Sequence, residues 1–184
     1  MRNHVLAALA LAAVPFVVAC GAEEEAPFRV MGNLGVTVND GTNPAGEAGF
    51  NFPTETMLDD DRSAQEDGSV AGHCTLEGSG ESWKLEIGVR RVGAQDDGLR
   101  SYLLTVEDAR AGRQRADVAV DLGGNAYKSG AGCFAEITVA SPSSGAVALT
   151  LDCDDLASEA TEAFDVDTDV ALEITGCHAT RARR

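Results

Sequence analysis

From Val70 onward, apolar and polar side chains alternate with a period of two residues, the pattern of β-strands that bury one face. The first such stretch predicts a hairpin that turns at Ser79-Gly80, where glycine tolerates a positive φ. In this register Leu76 lies opposite Trp83. A shift of one residue would expose the apolar side chains of one strand to water, so this register is favoured. The apolar face of the hairpin comprises Val70, Gly72, Cys74, Leu76, Trp83, Leu85, Ile87 and Val89.

A second hairpin is predicted around the turn sequence Pro142-Ser143-Ser144-Gly145. With Ser143 as its midpoint, Val139 lies opposite Val147 and Cys133 lies opposite Cys153. Directly opposed residues of antiparallel strands have Cα atoms about 4.5–5.5 Å apart, which is within the range of a disulfide. One face of this hairpin comprises Cys133, Ala135, Ile137, Val139, Val147, Leu149, Leu151 and Cys153.

A third alternating stretch runs to Ile174 and is followed by Cys177. Its inward positions are Phe164, Val166, Val170, Leu172 and Ile174. Two further strands are predicted between these elements, at 101–106 and 116–122, and two loops at 107–115 and 123–132. One helical turn or short helix is predicted at 154–163. About six to eight short strands at this spacing indicate an all-β fold, an antiparallel sandwich or a small barrel.

The start of the chain has a different pattern. A basic segment, Met1 to His4, is followed by an apolar run from Val5 to Ala19 and then by Cys20. A charged beginning, an apolar centre and small residues at the end are typical of an export signal. The run is too short for a transmembrane helix, which needs about 20 apolar residues.

The sequence Val17-Val18-Ala19-Cys20 resembles the lipobox of bacterial lipoproteins. That resemblance implies that residues 1–19 are removed as a signal peptide and that the Cys20 thiol carries a diacylglycerol. Two or more lipid chains would anchor the mature chain stably to a membrane. Gly21 stands where an Asp would resemble the inner-membrane retention signal of enteric lipoproteins, which favours the outer membrane. The alternative is an ordinary secretory signal with a cysteine at its end.

The chain is acidic, with a formal net charge of −16. Such a surface repels nucleic acid and favours cations and basic partners, although solubility alone also explains it. Much of the acid lies in residues 20–68, between Gly, Asn, Thr and Pro residues. This composition predicts a flexible tether between the anchor and a β domain of residues 69–184. Within the tether, residues 28–38 could form one strand that docks on the domain.

With Cys20 lipidated, four cysteines remain, and an even number in an exported chain implies disulfides. The hairpin register pairs Cys133 with Cys153, which leaves Cys74 for Cys177. The second bridge would tie the first strand of the domain to its last. A metal–thiolate site is the competing interpretation, but the chain has no Cys-x-x-Cys spacing.

After removal of the signal, the chain has two histidines, His73 and His178, each beside a cysteine of the predicted Cys74–Cys177 bridge. Glu86 lies opposite His73 in the predicted hairpin. Two imidazoles and one carboxylate could bind a divalent transition metal such as zinc. The alternative is two solvated histidines beside a disulfide.

Asp165, Asp167 and Asp169 have the spacing of a calcium loop. However, Val170 and Gly176 stand where an EF-hand places its Gly and its Glu. Strand alternation explains the aspartates better, as the solvated face of an edge strand.

The sequence contains no Gly-x-Ser-x-Gly nucleophile motif and no phosphate-binding loop, so it predicts neither an enzyme nor a cofactor. The lipobox, the polar tether and a β domain closed by Leu172-Glu173-Ile174-Thr175-Gly176-Cys177 resemble mycobacterial 19-kDa-type lipoprotein antigens. That family implies envelope association without known catalysis. The predicted function is a non-enzymatic binding or structural lipoprotein that meets an envelope protein or a cationic partner. The alternative is a zinc- or calcium-binding envelope protein.

Overall fold

The computed structural model of the chain describes residues 27–39, 46–60, 68–93, 98–130, 132–158 and 165–181. The signal sequence 1–19 and Cys20 lie outside these residues. No helix that could span a membrane occurs among them. The described strands are Phe28–Asn39 (β1), Gly46–Leu58 (β2), Val70–Ser79 (β3), Ser82–Arg91 (β4), Leu99–Val106 (β5), Gly112–Arg115 (β6), Asp117–Leu122 (β7), Asn125–Lys128 (β8), Phe134–Ser141 (β9), Ala146–Ser158 (β10), Asp165–Thr175 (β11) and His178–Arg181 (β12).

These strands form one open sheet in the order β12-β3-β4-β5-β7-β8-β10-β11-β1-β2, and β9 pairs with both β10 and β6. Neighbouring strands are antiparallel, except that β12 runs parallel to β3. The all-β prediction is confirmed. The prediction of six to eight strands is wrong, because the described residues form twelve. A closed small barrel is also wrong, since the sheet has free edges at β12 and β2.

Short strands explain much of the difference in number. β6, β8 and β12 have four residues each, and β6 and β8 lie in segments that were predicted as loops. A four-residue strand is too short to display a clear alternation of apolar and polar positions. Its formation depends on the neighbour that it pairs with, which is β9 for β6 and β7 for β8.

The helix predicted at 154–163 is wrong for its described part, because β10 continues through Ser158. A register shift between Cys153 and Leu156 interrupts the pairing of β10 with β11. Leu156 is buried after this irregularity. The interruption breaks the two-residue period and so hides the strand in the sequence. Residues 159–163 lie outside the described residues.

The sheet has two halves, β12-β3-β4-β5-β7-β8 and β10-β11-β1-β2 with β9 and β6, and they share one apolar core. β10 links them, since it pairs with β9 and β11 along most of its length and with β8 at its end. The buried apolar side chains form a single cluster to which every described strand except β6 and β12 contributes. The inner faces of both halves therefore meet in one layer of side chains, and the outer faces are left to solvent.

Two strands lie in the range predicted as a tether. Residues 28–38, the predicted docking strand, lie in β1, and residues 46–58 form β2. Phe28 and Leu58 are opposed and buried, and both reach β3 at Gly72. A Cβ on Gly72 would lie 3.3 Å from Phe28 Cζ and 3.2 Å from Leu58 Cδ1. The predicted domain boundary at residue 69 is therefore corrected: these strands belong to the core.

The first predicted hairpin forms with a register that differs by two residues. Its turn is at Gly80-Glu81, with Gly80 at φ 65°, and Leu76 lies opposite Leu85 instead of Trp83. A two-residue shift keeps every side chain on its predicted face. The observed register also places Glu77 opposite Lys84, which is a favourable cross-strand charge pair.

The second hairpin has the predicted register over its inner half, where Ile137 lies opposite Leu149. A bulge between Ala148 and Leu149 then changes the pairing, so that Val139 lies opposite Ala148 and not Val147. The extra residue turns Val139 to the outside, where it is 43% exposed. Its predicted inward position is therefore wrong.

Both predicted disulfides are present. The Cα atoms of Cys74 and Cys177 are 4.7 Å apart, and those of Cys133 and Cys153 are 4.8 Å apart. All four cysteines are buried. The first bridge joins β3 to the short connection between β11 and β12. The second joins the residue before β9 to β10.

A buried polar chain connects the two halves through the core. The Tyr102 hydroxyl on β5 lies 2.9 Å from Thr168 Oγ1 on β11. Thr168 Oγ1 donates in turn to the carbonyl oxygen of Gly35 on β1, at 2.6 Å, so the Tyr102 hydroxyl is the donor in the first bond. Burial raises the pKa of the Tyr102 hydroxyl, which keeps it protonated.

Removing the two disulfides should cost different amounts of stability. The Cys74–Cys177 bridge spans 103 residues and the Cys133–Cys153 bridge spans 20. Loop-closure entropy then predicts a loss of about 5 kcal/mol for the double change Cys74→Ala/Cys177→Ala and about 3 kcal/mol for Cys133→Ala/Cys153→Ala. Urea unfolding of the two variants measures this difference. Equal losses, or the reverse order, would contradict the entropic account.

The buried polar chain should behave as a coupled unit. Thr168→Val leaves the Tyr102 hydroxyl buried without its acceptor and should cost about 1–3 kcal/mol, whereas Tyr102→Phe should cost about 1 kcal/mol. The double variant should cost less than the sum, because the unsatisfied hydroxyl is absent from it. A double-mutant cycle in urea measures the coupling, and additivity within about 0.3 kcal/mol would refute it.

Candidate functional site

His73 and Glu86 meet on the outer face of β3 and β4. His73 Nε2 lies 3.2 Å from Glu86 Oε1, and the two side chains are 26% and 37% exposed. The prediction that Glu86 lies directly opposite His73 is wrong, because the observed register places Gly88 opposite His73 and Thr75 opposite Glu86. The imidazole lies over Gly88, because a Cβ on that glycine would overlap the ring. Because Gly88 has no side chain, the His73 ring can lie across it and reach Glu86 diagonally.

His178 begins β12 and lies opposite Thr75 in the parallel ladder. It is therefore displaced by two residues along β3 from His73. Among the described residues, no group of three or more His, Cys, Asp and Glu side chains is arranged to hold a metal ion. The structure brings together two of the three predicted ligands, His73 and Glu86, and the zinc hypothesis lacks its third.

A small cavity of about 160 Å³ adjoins His73 on this face. Its polar wall includes Arg90, whose Nη2 and Nε donate to Asp60 Oδ1 at 2.9 and 3.3 Å. Ser101 and Leu103 also line it. Both basic side chains at the cavity are paired with carboxylates, His73 with Glu86 and Arg90 with Asp60. A ligand at this site would have to compete with these contacts.

The predicted calcium ligands lie along a strand and not in a loop. β11 pairs with β10 on one side and β1 on the other, so the predicted edge position of these aspartates is also wrong. Asp169 is exposed and accepts a hydrogen bond from Asn33 Nδ2 at 3.3 Å. Asp167 lies opposite Thr37. Carboxylates at alternate positions of an extended strand lie side by side and do not converge on one ion as a calcium loop requires.

A larger concave surface lies on the other half of the sheet, on the outer face of β9, β10, β11, β1 and β2. It consists of two hollows that share Asn33 and are together called the outer groove. The first hollow, about 300 Å³, is lined by side chains that include Met31, Thr138, Ala148, Ala171 and Glu173. The second, about 640 Å³, is lined by residues that include Asn33, Gly35, Gly49, Asn51 and Asp169.

The outer groove was not predicted from the sequence, because the glycines and asparagines of β1 and β2 suggested a tether. The usable signal was the spacing of Asn33 and Gly35 around Leu34, and of Gly49 and Asn51 around Phe50. Apolar residues between polar or small ones are the alternation of a strand with one buried face.

No family model matches the chain, and no curated protein and no solved structure shows significant similarity to it.

Substitution of Gly88 tests the placement of the His73 ring. Gly88→Ala should destabilise the protein by about 1–2 kcal/mol, because the new methyl group displaces the imidazole from Glu86. The same change in a His73→Ala background should be neutral or stabilising by up to about 1 kcal/mol, since glycine is unfavourable inside a strand. Thermal and urea unfolding of the four variants measure both effects. An equal cost in both backgrounds would mean that the ring does not occupy this space.

Proposed function

We propose that the chain is a lipid-anchored protein of the bacterial cell envelope whose β domain is a non-enzymatic binding or structural module. The observation that carries the proposal is the use of the cysteines. The sequence has five, and four of them are paired in two buried disulfides. Cys20 is the one cysteine outside these bridges, and it stands at the end of the lipobox-like sequence.

The disulfides also support export. Disulfides persist in oxidising compartments and are rare in the cytosol, so two buried bridges agree with the signal-like residues 1–19. Gly21, in place of an inner-membrane retention Asp, favours the outer membrane. The acidic composition supports an envelope protein or a cationic molecule as partner and argues against nucleic acid.

The metal-binding alternative has no comparable support. In the part of the chain that the structure describes, His73 and Glu86 are joined by no third ligand, and β11 presents its aspartates along an extended strand. Binding through a surface of the β domain is therefore the favoured role.

Replacement of Cys20 tests the anchor. In a bacterial host, the wild-type chain should incorporate an alkyne-labelled palmitate and partition into the detergent phase, because two or more acyl chains give stable anchoring. Cys20→Ala should lose the label and move to the aqueous phase.

The matched control is Cys133→Ala/Cys153→Ala, which removes two cysteines from the domain and should keep the label. A label that persists in Cys20→Ala would overturn the proposed lipidation, and so would a wild-type chain that is exported without any label.

A further inference from the structure

We infer that the outer groove docks an extended, lysine- or arginine-bearing segment of a partner protein. The inference deepens the binding role proposed above and rests on it, but it does not depend on the lipid at Cys20. It rests on the floor of the groove, on its charge and on the side chains that border it.

The floor combines backbone at Gly49 with the Asp169 carboxylate, which lies over Gly35. Gly35 of β1 lies directly opposite Gly49 of β2, so two neighbouring positions on this face carry no side chain. Neither position has room for one: a Cβ on Gly49 would lie 2.7 Å from the Leu34 carbonyl oxygen, and a Cβ on Gly35 would overlap the Asp169 carboxylate. Glycine weakens a strand interior and often marks a place where a ligand or another backbone approaches closely.

The floor continues across β11 and β10 with small side chains. Ala171 lies opposite Asn33 on one side and Thr150 on the other, and Ala148 lies opposite Glu173. Neighbouring strands are about 4.8 Å apart, so the four strands β10, β11, β1 and β2 span about 14 Å. That width accommodates about four residues of an extended chain laid across the strands.

The charged residues that line the two hollows are all acidic, and the exposed Arg29 on the same face of β1 is paired with Glu55. Asp152 of β10 lies directly opposite Asp169 of β11, and both are exposed. Like charges directly opposed across a ladder are destabilising, so the sheet retains a pair that a cation would relieve. Glu173 lines the first hollow and Asp169 the second, and none of the described residues that line either hollow is Lys or Arg. This potential attracts a cationic segment and steers its approach.

The polar border suits a polypeptide. Asn33 and Asn51 are directly opposed on the outer face, and each amide has donors and an acceptor. Such groups can bond the free N–H and C=O groups of an extended segment, while its basic side chains reach Asp169 and Glu173. A second copy of the chain is a poor occupant, because each copy has a net charge of −16.

Peptide binding to charge variants tests the proposal. The full chain is purified in detergent, and the probe is a fluorescent peptide of five Gly-Lys repeats followed by anisotropy. Asp169→Asn/Glu173→Gln should weaken binding about tenfold or more. The control is Glu77→Gln/Asp117→Asn, which removes the same two charges from exposed positions on the other half and should weaken binding less than about threefold. An equal loss in both variants would mean diffuse attraction to an acidic surface and would overturn the proposal.

A shape variant separates the groove from its charge. Ala171→Leu fills the first hollow without changing any charge and should also weaken binding about tenfold, whereas Ala119→Leu on the outer face of β7 should have little effect. Unchanged melting temperatures show that both variants are folded.

Full binding by Ala171→Leu would overturn the proposal. The proposal would also be overturned if the wild-type chain binds no peptide but forms a dimer that Ala171→Leu abolishes, since a second copy would then be the occupant. If the wild-type chain is exported without lipid and still binds the peptide, the proposed anchor is rejected and the proposed groove is retained.

Discussion

Burial of one shared core between two facing halves of an open sheet constrains this protein more than any other interaction. Nearly every strand contributes to that core, and Tyr102, Thr168 and Gly35 carry a chain of hydrogen bonds through it. Inward positions must therefore be apolar or fully bonded, because an unpaired polar group in this layer would cost about 1–3 kcal/mol. Outward positions are free of this requirement, and any binding role has to be found on the outer faces or at the edges.

That division explains what could be predicted from the sequence. The inward faces of the two hairpins could be predicted because strands alternate with a strict period of two. The Cys133–Cys153 bridge followed from the second hairpin, and Cys74 and Cys177 were then the two cysteines left to pair. The register does not follow from the faces alone, because a shift of two residues, such as the one that places Leu76 opposite Leu85 instead of Trp83, leaves every face unchanged.

Departures from simple alternation account for the remaining errors. Bulges beside Leu149 and Leu156 shift the period, which reversed the predicted position of Val139 and made the end of β10 resemble a helix. Thr168 is a different case, because it occupies an inward position of β11 and was passed over as a polar residue. Its burial depends on Tyr102, which is 66 residues away in sequence, and no local pattern reveals that partner.

The glycine- and asparagine-rich composition that predicted a tether follows from the same constraint. In β1 and β2 the buried residues are apolar, and the outward ones include Asn33, Gly35, Gly49 and Asn51. Small polar residues usually indicate a flexible linker, but here they form the outer face of two paired strands. The residues that made this range resemble a tether, and that hid β2 in the sequence, are among those that shape the outer groove.

This correction changes the geometry of the proposed anchor. With a lipid on Cys20 and β1 beginning at Phe28, the intervening chain can extend at most about 28 Å, at about 3.5 Å per residue. A tether reaching to residue 68 would have allowed a much larger separation from the membrane. The outer groove lies partly on β1 and β2, the strands nearest the anchor in sequence, so a segment docked there would be held close to the bilayer. A basic segment of a membrane protein, either next to its membrane-spanning part or at its terminus, has the charge and the location that such a groove requires.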